Sequence, residues 1–205
     1  MAAERAVIVL ASQNAKKLKE MHELLGDFGY IIISAAEAGF SEQIEETGES
    51  FAQNACIKAE TICKALGCWA IADDSGLQVD ALEGAPGIYS ARYAGVGSSD
   101  EENNLKLLHA LMDVADDQRG ACFVSVIALA RPNSETLYFE GVCPGFILEQ
   151  AKGDLGFGYD PLFVPLGESR SFAELSASQK HSISHRGIAM NLLKEYLLKL
   201  VNKES

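Results

Sequence analysis

The chain has 205 residues, 48% of them hydrophobic and 22% charged, which is enough apolar material for a sizeable core and argues against a disordered chain. With 17 basic against 29 acidic residues the formal charge is -12, and such a surface repels a phosphate backbone; long nucleic acid is disfavoured as a partner, while a small anion held by a local basic site or a bridging metal is not. The apolar run at residues 6–11 is too short for a signal peptide, and residues 122–130 fall far short of a membrane span.

Cys56, Cys63, Cys68, Cys122 and Cys143 include no CxxC pair, so they read as reduced, mostly small hydrophobes rather than a zinc site or disulfide framework. A soluble cytoplasmic protein with no membrane partner is the expectation.

Residues 6–11, rich in Val, Ile and Leu, predict a buried strand. A helix follows from about Asn14, with Leu18, Met21, Leu25 and Phe28 spaced by three and four, and Gly26 and Gly29 at its end. Tyr30 to Ile33 predicts a second strand and Glu37 to Gly48 an acidic loop. Ser50 to Leu66 predicts a second helix, with Phe51, Ala55, Ala59, Ile62 and Leu66 on one face and Gly67 closing it. Trp69 to Ala72 reads as a short strand running straight into Asp73-Asp74, and residues 76–98 as a loop with short strand pieces.

Ser99 followed by Asp100, Glu101 and Glu102 marks a helix start whose negative first turn suits the helix dipole; Leu105, Leu108, Leu111 and Met112 follow it. Two β segments, about 120–131 and 136–149, predict a hairpin. Phe163 to Pro165 is a further short strand, and a last helix from about Ser184 carries Ala189, Leu193, Leu197 and Leu200. Strands that first alternate with helices and then pair as a hairpin predict an α/β fold with a mixed sheet, in one domain over residues 1–205.

Five segments carry candidate chemistry. In Ser12-Gln13-Asn14-Ala15-Lys16-Lys17, a polar turn at a helix start offers free N–H groups, and two lysines in the first turn oppose the dipole unless an anion sits there; the plainer reading is an Asn14 cap with solvated lysines. The glycines of a Walker loop are missing. Glu45-Glu46-Thr47-Gly48-Glu49 is either an oxygen-ligand site for a hard cation or a solvated acidic loop.

Asp73-Asp74-Ser75-Gly76 puts adjacent carboxylates at the end of a buried strand, where α/β sites lie; two such charges are costly unless compensated, and a divalent metal is the obvious compensation, the alternative being a turn capped by Asp. In the segment from Gly153 to Pro161, glycines interleaved with Phe157 and Tyr159 allow close backbone approach and offer rings to stack on a base, or else form an aromatic-cornered structural loop. Lys180, His185 and Arg186, read as lying at the start of the last helix, place cations and donors where the helix dipole disfavours them without an anion; the plainer reading is an ordinary polar surface. Together these are the parts of a nucleotide phosphohydrolase site.

The same residues resemble the inosine triphosphate pyrophosphatase family over nearly the whole chain. The resemblance rests on Ser12 to Leu18, Glu45-Glu46-Thr47-Gly48, Phe51 through Asn54-Ala55 to Lys58-Ala59, and Ala72 to Leu77. It continues through Gly84 to Tyr93, Gly156 to Pro161 and Ser184-His185-Arg186-Gly187. It implies an elongated mixed β-sheet with flanking helices and two lobes around a central nucleotide-binding cleft. It also implies a homodimer and Mg²⁺-dependent hydrolysis of ITP, dITP and XTP to the monophosphate and pyrophosphate.

By position, the resemblance makes Asp74 the general base, assisted by Lys58 facing the phosphates and by Asp73, with Glu45 and Asp74 holding the metal. Ser12, Gln13, Asn14, Ala15, Lys16, Lys17, Ser75, Phe157, Gly158, Tyr159, Asp160, Lys180, His185 and Arg186 would contact the nucleotide. The family has Thr-Gly-Asn where this chain has Ser12-Gln13-Asn14; the hydroxyl is kept, and loss of the glycine is expected to change the loop shape modestly. A related pyrophosphatase for other modified nucleotides and a non-catalytic nucleotide sensor are the alternatives. Paired Asp73-Asp74 with Lys58 argues for turnover, because binding alone needs no base.

Overall fold

Three mutually parallel strands organise the first part of the chain in the computed structural model, which describes residues 7–12, 15–25 and 30–204. Strand β1 (Val7–Leu10) pairs with β2 (Ile31–Ser34) on one side and β3 (Trp69–Val79) on the other. Parallel neighbours need long crossovers, and helices α1 (Ala15–Leu25) and α2 (Phe51–Leu66) occupy them. Helix α2 has the limits its sequence signals: the Ser50 side chain caps Gln53 N–H, and Gly67 ends it at φ 63°.

The remaining elements are α3 (Asp100–Ala110), β4 (Gly120–Ala130), β5 (Leu137–Ile147), β6 (Phe163–Pro165), α4 (Ala177–Ile183) and α5 (His185–Glu204). The sheet has six strands in the order β2-β1-β3-β4-β5-β6, and β6 runs antiparallel to β5. Strands β4 and β5 are neighbours joined by residues 131–136, too short a link for a parallel crossover, which makes them the expected hairpin. The α3 start is a capping box in which Ser99 and Glu102 satisfy each other's backbone N–H groups.

Two sequence expectations are corrected. Strand β3 does not stop at Ala72 but continues through Asp73-Asp74-Ser75-Gly76 to Val79. Leu77 and Val79 are fully buried, and their apolar burial extends the strand past the polar residues. Residues 180–187 are not one helix start: Ser176 and Gln179 form a capping box for the separate helix α4, which ends before Ser184. The expected Phe28 end of the first helix lies outside the described residues.

The chain forms two compact units. The first comprises Met1–Asp74, Val126–Glu140 and Ala189–Ser205, and the second Ser75–Ser125 and Gly141–Ile188. In the first unit the period of two along each strand sorts side chains to opposite faces. Ile8, Leu10, Ile71, Ile127 and Leu129 pack with Met21 of α1 and with Ala189, Met190, Leu193 and Leu197 of α5. Val9, Ala70, Ala72, Ala128 and Ala130 pack on the other face against Ala55, Ala59, Ile62 and Cys63 of α2. The second unit has its own core, in which Leu77, Val79, Phe123, Cys143 and Ile147 meet Leu107 of α3 and Leu111 just after it, together with Tyr159, Phe163 and Phe172.

No helix among the described residues is long and apolar enough to cross a membrane. All five cysteines carry free thiols.

Candidate active site

The alternation that sorts the first core also sorts the two adjacent carboxylates. Asp73 shares the parity of Ile71 and is directed at α1, where Lys17 Nζ meets Asp73 Oδ2 at 2.9 Å. Asp74 shares the parity of Ala70 and Ala72 and is directed at α2. Neighbouring residues of one strand face opposite ways, so the pair does not act as a single bidentate group. Asp73, whose side chain is fully buried, is the anchor of Lys17 rather than a partner of Asp74.

Helix α2 presents Asn54 and Lys58, four residues apart on its buried face, to β3. Small Ala55 and Ala59 on the same face pack against the alanines of the sheet. The Lys58 ammonium donates to Glu46 Oε1 at 2.9 Å, to the Asp73 carbonyl at 2.9 Å and to Asp74 Oδ1 at 3.0 Å. Asn54 Nδ2 approaches Asp74 Oδ2 at 3.4 Å, while Asn54 Oδ1 accepts the Gly48 N–H at 2.8 Å. Gly48 is required there, because a Cβ would lie 2.7 Å from Asn54 Oδ1. The acidic loop is thus tied to α2 beside Asp74.

Burial is the largest influence on Asp74 and raises its carboxyl above the ordinary range, against the opposing pull of Lys58 and Lys17. For Lys58 the balance falls the other way. Burial disfavours its charge, but Asp74 and Glu46 together hold the ammonium more firmly protonated than usual. The cluster therefore pairs a firmly held cation with a carboxylate poised to accept a proton.

The acidic residue that meets this cluster is Glu46; Glu45, the sequence expectation for a metal ligand, is exposed on the loop beside it. Among the described residues no group of three or more acidic, His or Cys side chains could hold a metal alone. The donors present are hard carboxylate oxygens, which suit Mg²⁺, and Mg²⁺ commonly takes one or two carboxylates and completes its shell with substrate phosphates and waters. The residues fit an ion that arrives with a triphosphate.

The second unit holds a distinct cluster of cations and rings. Lys180 on α4 is buried and meets Asp160 Oδ2 at 2.7 Å, and its Nζ lies 4.8 Å from the Phe157 ring centre and 5.6 Å from that of Phe172. Arg186 is 5.7 Å from the Phe157 ring centre and donates from Nη2 to Ser75 Oγ at 2.8 Å. Phe157 is half-buried beside both cations, whose attraction to the ring face is worth about 0.5–2 kcal/mol each. His185, the first residue of α5, is buried with its ring stacked on Phe123 at 4.7 Å and 9°.

Two sequence-predicted contacts have different roles in this unit. The Asp160 carboxylate is buried, accepting the Phe157 N–H at 2.8 Å as well as the Lys180 bond; it organises the glycine-aromatic loop. A Cβ on Gly156 would overlap that carboxylate, which explains the glycine. The Tyr159 ring is enclosed in the core, its hydroxyl donating to the Ser90 carbonyl at 2.8 Å, and burial pushes its phenol well above the ordinary range. The ring offered by the loop is Phe157, not Tyr159. Gly158, at φ 62°, presents its carbonyl to Asn104 Nδ2 at 3.0 Å.

Ser12 is half-buried just after β1, and Lys16 is exposed on α1. Ala15 opens α1, and Gln13 and Asn14 lie outside the described residues. A shallow depression of about 450 Å³ is lined by residues 94–98 with Glu102 and Leu105 of α3, none of them a member of these clusters, and Glu102 is committed to capping α3. The sequence expectation carries Glu46 only as part of the acidic loop and does not include Asn54, Phe123 or Phe172 among the site residues. The i,i+4 spacing of Asn54 and Lys58 was a usable signal, whereas Phe123 and Phe172 look like ordinary core residues.

The fold and these contacts define an α/β protein with a buried Lys58–Asp74 pair between α2 and β3 and a buried Lys180–Asp160 pair at the glycine-aromatic loop. The chain belongs to the Ham1 family, whose model matches residues 8–196. It is 50% identical over 194 residues to a dITP/XTP pyrophosphatase of Desulforamulus reducens, covering 94% of this chain and 96% of that protein. It is 44% identical over 189 residues to the dITP/XTP pyrophosphatase of Bacillus subtilis, covering 92% and 96% of the two chains. A solved HAM1 protein from Coxiella burnetii superposes with a TM-score of 0.88 at 44% identity, covering 95% of this chain and 99% of that one.

Proposed function

We propose that residues 1–205 act as one Mg²⁺-dependent nucleoside-triphosphate pyrophosphatase that converts dITP, ITP and XTP to the monophosphate and pyrophosphate. The observation that carries this reading is the Glu46–Lys58–Asp74 arrangement in a chain similar over 92–94% of its length to dITP/XTP pyrophosphatases. Asp74 takes a proton from the attacking water, whose oxygen forms the new bond to the α-phosphorus as the bond to the bridging oxygen of pyrophosphate breaks. Its raised proton affinity suits that role. Lys58 and Lys17 offset charge on the phosphate oxygens. Asp74, with Glu45 or Glu46, would hold Mg²⁺, which supplies charge neutralisation on the triphosphate.

The second cluster takes the base. Phe157 stacks on it, and donors of His185 and Arg186 pair with the oxygen at purine position 6, where adenine carries an amino group. Buried polar mismatches of this kind discriminate by factors on the order of 10⁴. We further propose that the enzyme works as a cytoplasmic homodimer.

The test is pyrophosphate release from a panel of dITP, ITP, XTP, GTP, ATP and pyrimidine triphosphates with and without Mg²⁺. Mg²⁺-dependent release from the first three supports the reading. Preference for modified pyrimidines points to the related pyrophosphatase activity, and binding without product points to a sensor.

A further inference from the structure

A planar side chain reads a base edge only if its plane is fixed. The N–H bonds of an imidazole lie in the ring plane, and a hydrogen bond weakens steeply as its angle closes towards 120°. The final torsion of a histidine is broad and roughly two-fold, so the backbone alone does not set that plane.

In this protein the backbone at His185 is held by a cap, the Gly187 N–H donating to Ser184 Oγ at 3.1 Å. The ring is held separately. Phe123, on β4, lies parallel to the imidazole at 9° with ring centres 4.7 Å apart, an offset stack. Phe123 is itself wedged, edge-on to Phe163 at 4.8 Å and against Phe172 at 5.9 Å. Both of those rings are fully buried, so Phe123 has little freedom to rotate. Phe172 also lies beneath Lys180, so the same aromatic group supports the cation beside Phe157.

We propose that Phe123 is a specificity-determining positioning residue: through its stack on His185 it fixes the imidazole plane in which the purine 6-oxygen is read. This rests on the reading above, in which His185 reads the base. Phe123 touches no substrate in this scheme; it acts through His185. Loss of the ring removes that stacking restraint on the imidazole plane, which weakens the bond to the correct base and lowers the penalty for an adenine amine. Discrimination falls from both sides, while the Asp74 chemistry is untouched.

The experiment compares kcat/KM for ITP and ATP in the wild type, Phe123→Leu, Phe123→Tyr and His185→Ala, each with a thermal melt. Phe123→Leu keeps an apolar side chain and loses the ring; Phe123→Met replaces it if Leu prevents folding. The expected result is a fall of about tenfold or more in the ITP:ATP ratio for the ringless variant, the scale of one badly aligned polar contact. Phe123→Tyr, which retains the ring, should hold the ratio within about threefold even where its melting temperature falls.

A second readout is the His185 Hε1 proton resonance, identifiable among 4 histidines by its loss in His185→Ala. The stack should shift it by ring current, and the shift should vanish in the ringless variant and persist in Phe123→Tyr. A melting temperature that falls in Phe123→Leu with the ratio and the resonance unchanged overturns the proposal and leaves Phe123 a core residue. An unchanged ratio in His185→Ala instead removes the base-reading assignment itself.

Discussion

Replacing Lys58 by Met keeps most of the stem and removes the ammonium. That ammonium bonds Glu46 and the Asp73 carbonyl at 2.9 Å and Asp74 at 3.0 Å, with 11% of the lysine side chain and 9% of the aspartate side chain exposed. Removing one partner of a buried pair costs about 3–5 kcal/mol. The lower end applies here, about 3 kcal/mol, because Asp74 can take up a proton and Lys17 still contributes attraction. In a chain of this length each 1 kcal/mol moves the melting temperature by about 2–4 °C, so the expected loss is about 6–12 °C near neutral pH.

The pH dependence has a definite sign. The folded Asp74 pKa is raised, so the folded state loses stability as pH rises from the unfolded carboxylate range through the folded value. Removing Lys58 deepens that loss. Lys58 itself is held protonated across the range, so the change belongs to the acid. The difference between wild type and Lys58→Met should therefore be widest around pH 8 and shrink towards about pH 4. Circular-dichroism melts across that range measure it. A difference below about 2 °C, or one independent of pH, would show that the ammonium does not stabilise a buried Asp74 charge.

Other outcomes follow from the packing and capping. Gly187→Ala places a Cβ against the His181 carbonyl, so urea unfolding should show a loss of about 1–3 kcal/mol, with weakened ITP binding because His185 and Arg186 adjoin the shifted turn. Ser50→Ala removes the α2 cap and should cost about 1 kcal/mol by the same assay without changing KM. Burial pushes the Cys143 thiol up to about 11, so a disulfide reagent at about pH 8 should leave it unmodified until the protein unfolds. Because that pKa is raised on folding, stability should decline as pH climbs from about 9 towards 11, by about 2–3 kcal/mol, and Cys143→Ala should remove that part of the slope.

The elements with strong local chemistry were legible in the sequence. Ser50 and Gly67 bounded α2, Ser99 with Glu102 marked α3, and the alternation at β4 and β5 gave the hairpin. Strand β3 was cut short because Asp73-Asp74-Ser75-Gly76 has the composition of a turn, while tertiary burial of Leu77 and Val79 decides in favour of a strand. The sequence identified Asp74 and Lys58 as chemical groups but not as direct partners, since their 3.0 Å contact depends on how α2 crosses the sheet.

Strand parity separated Asp73 from Asp74, a division that required knowing that both residues lie inside one strand. Tyr159 and Asp160 have residue types that bind nucleotides as readily as they brace loops, and only their burial, with 3% and 2% exposed, assigns them to the loop.

The central claim is that Asp74 accepts the proton of the attacking water. The direct measurement is Mg²⁺-dependent pyrophosphate release from dITP by Asp74→Asn, with thermal melts of the same preparations. The amide is close in shape but cannot accept that proton. Turnover should fall by about 10²–10⁴-fold, the contribution of a positioned general base. The folded state should persist, because the neutral amide escapes the burial penalty on the carboxylate and Lys58, though it loses the Asp74 charge, keeps its bonds to Glu46 and the Asp73 carbonyl. Turnover within about threefold of wild type in a folded Asp74→Asn protein would contradict the account.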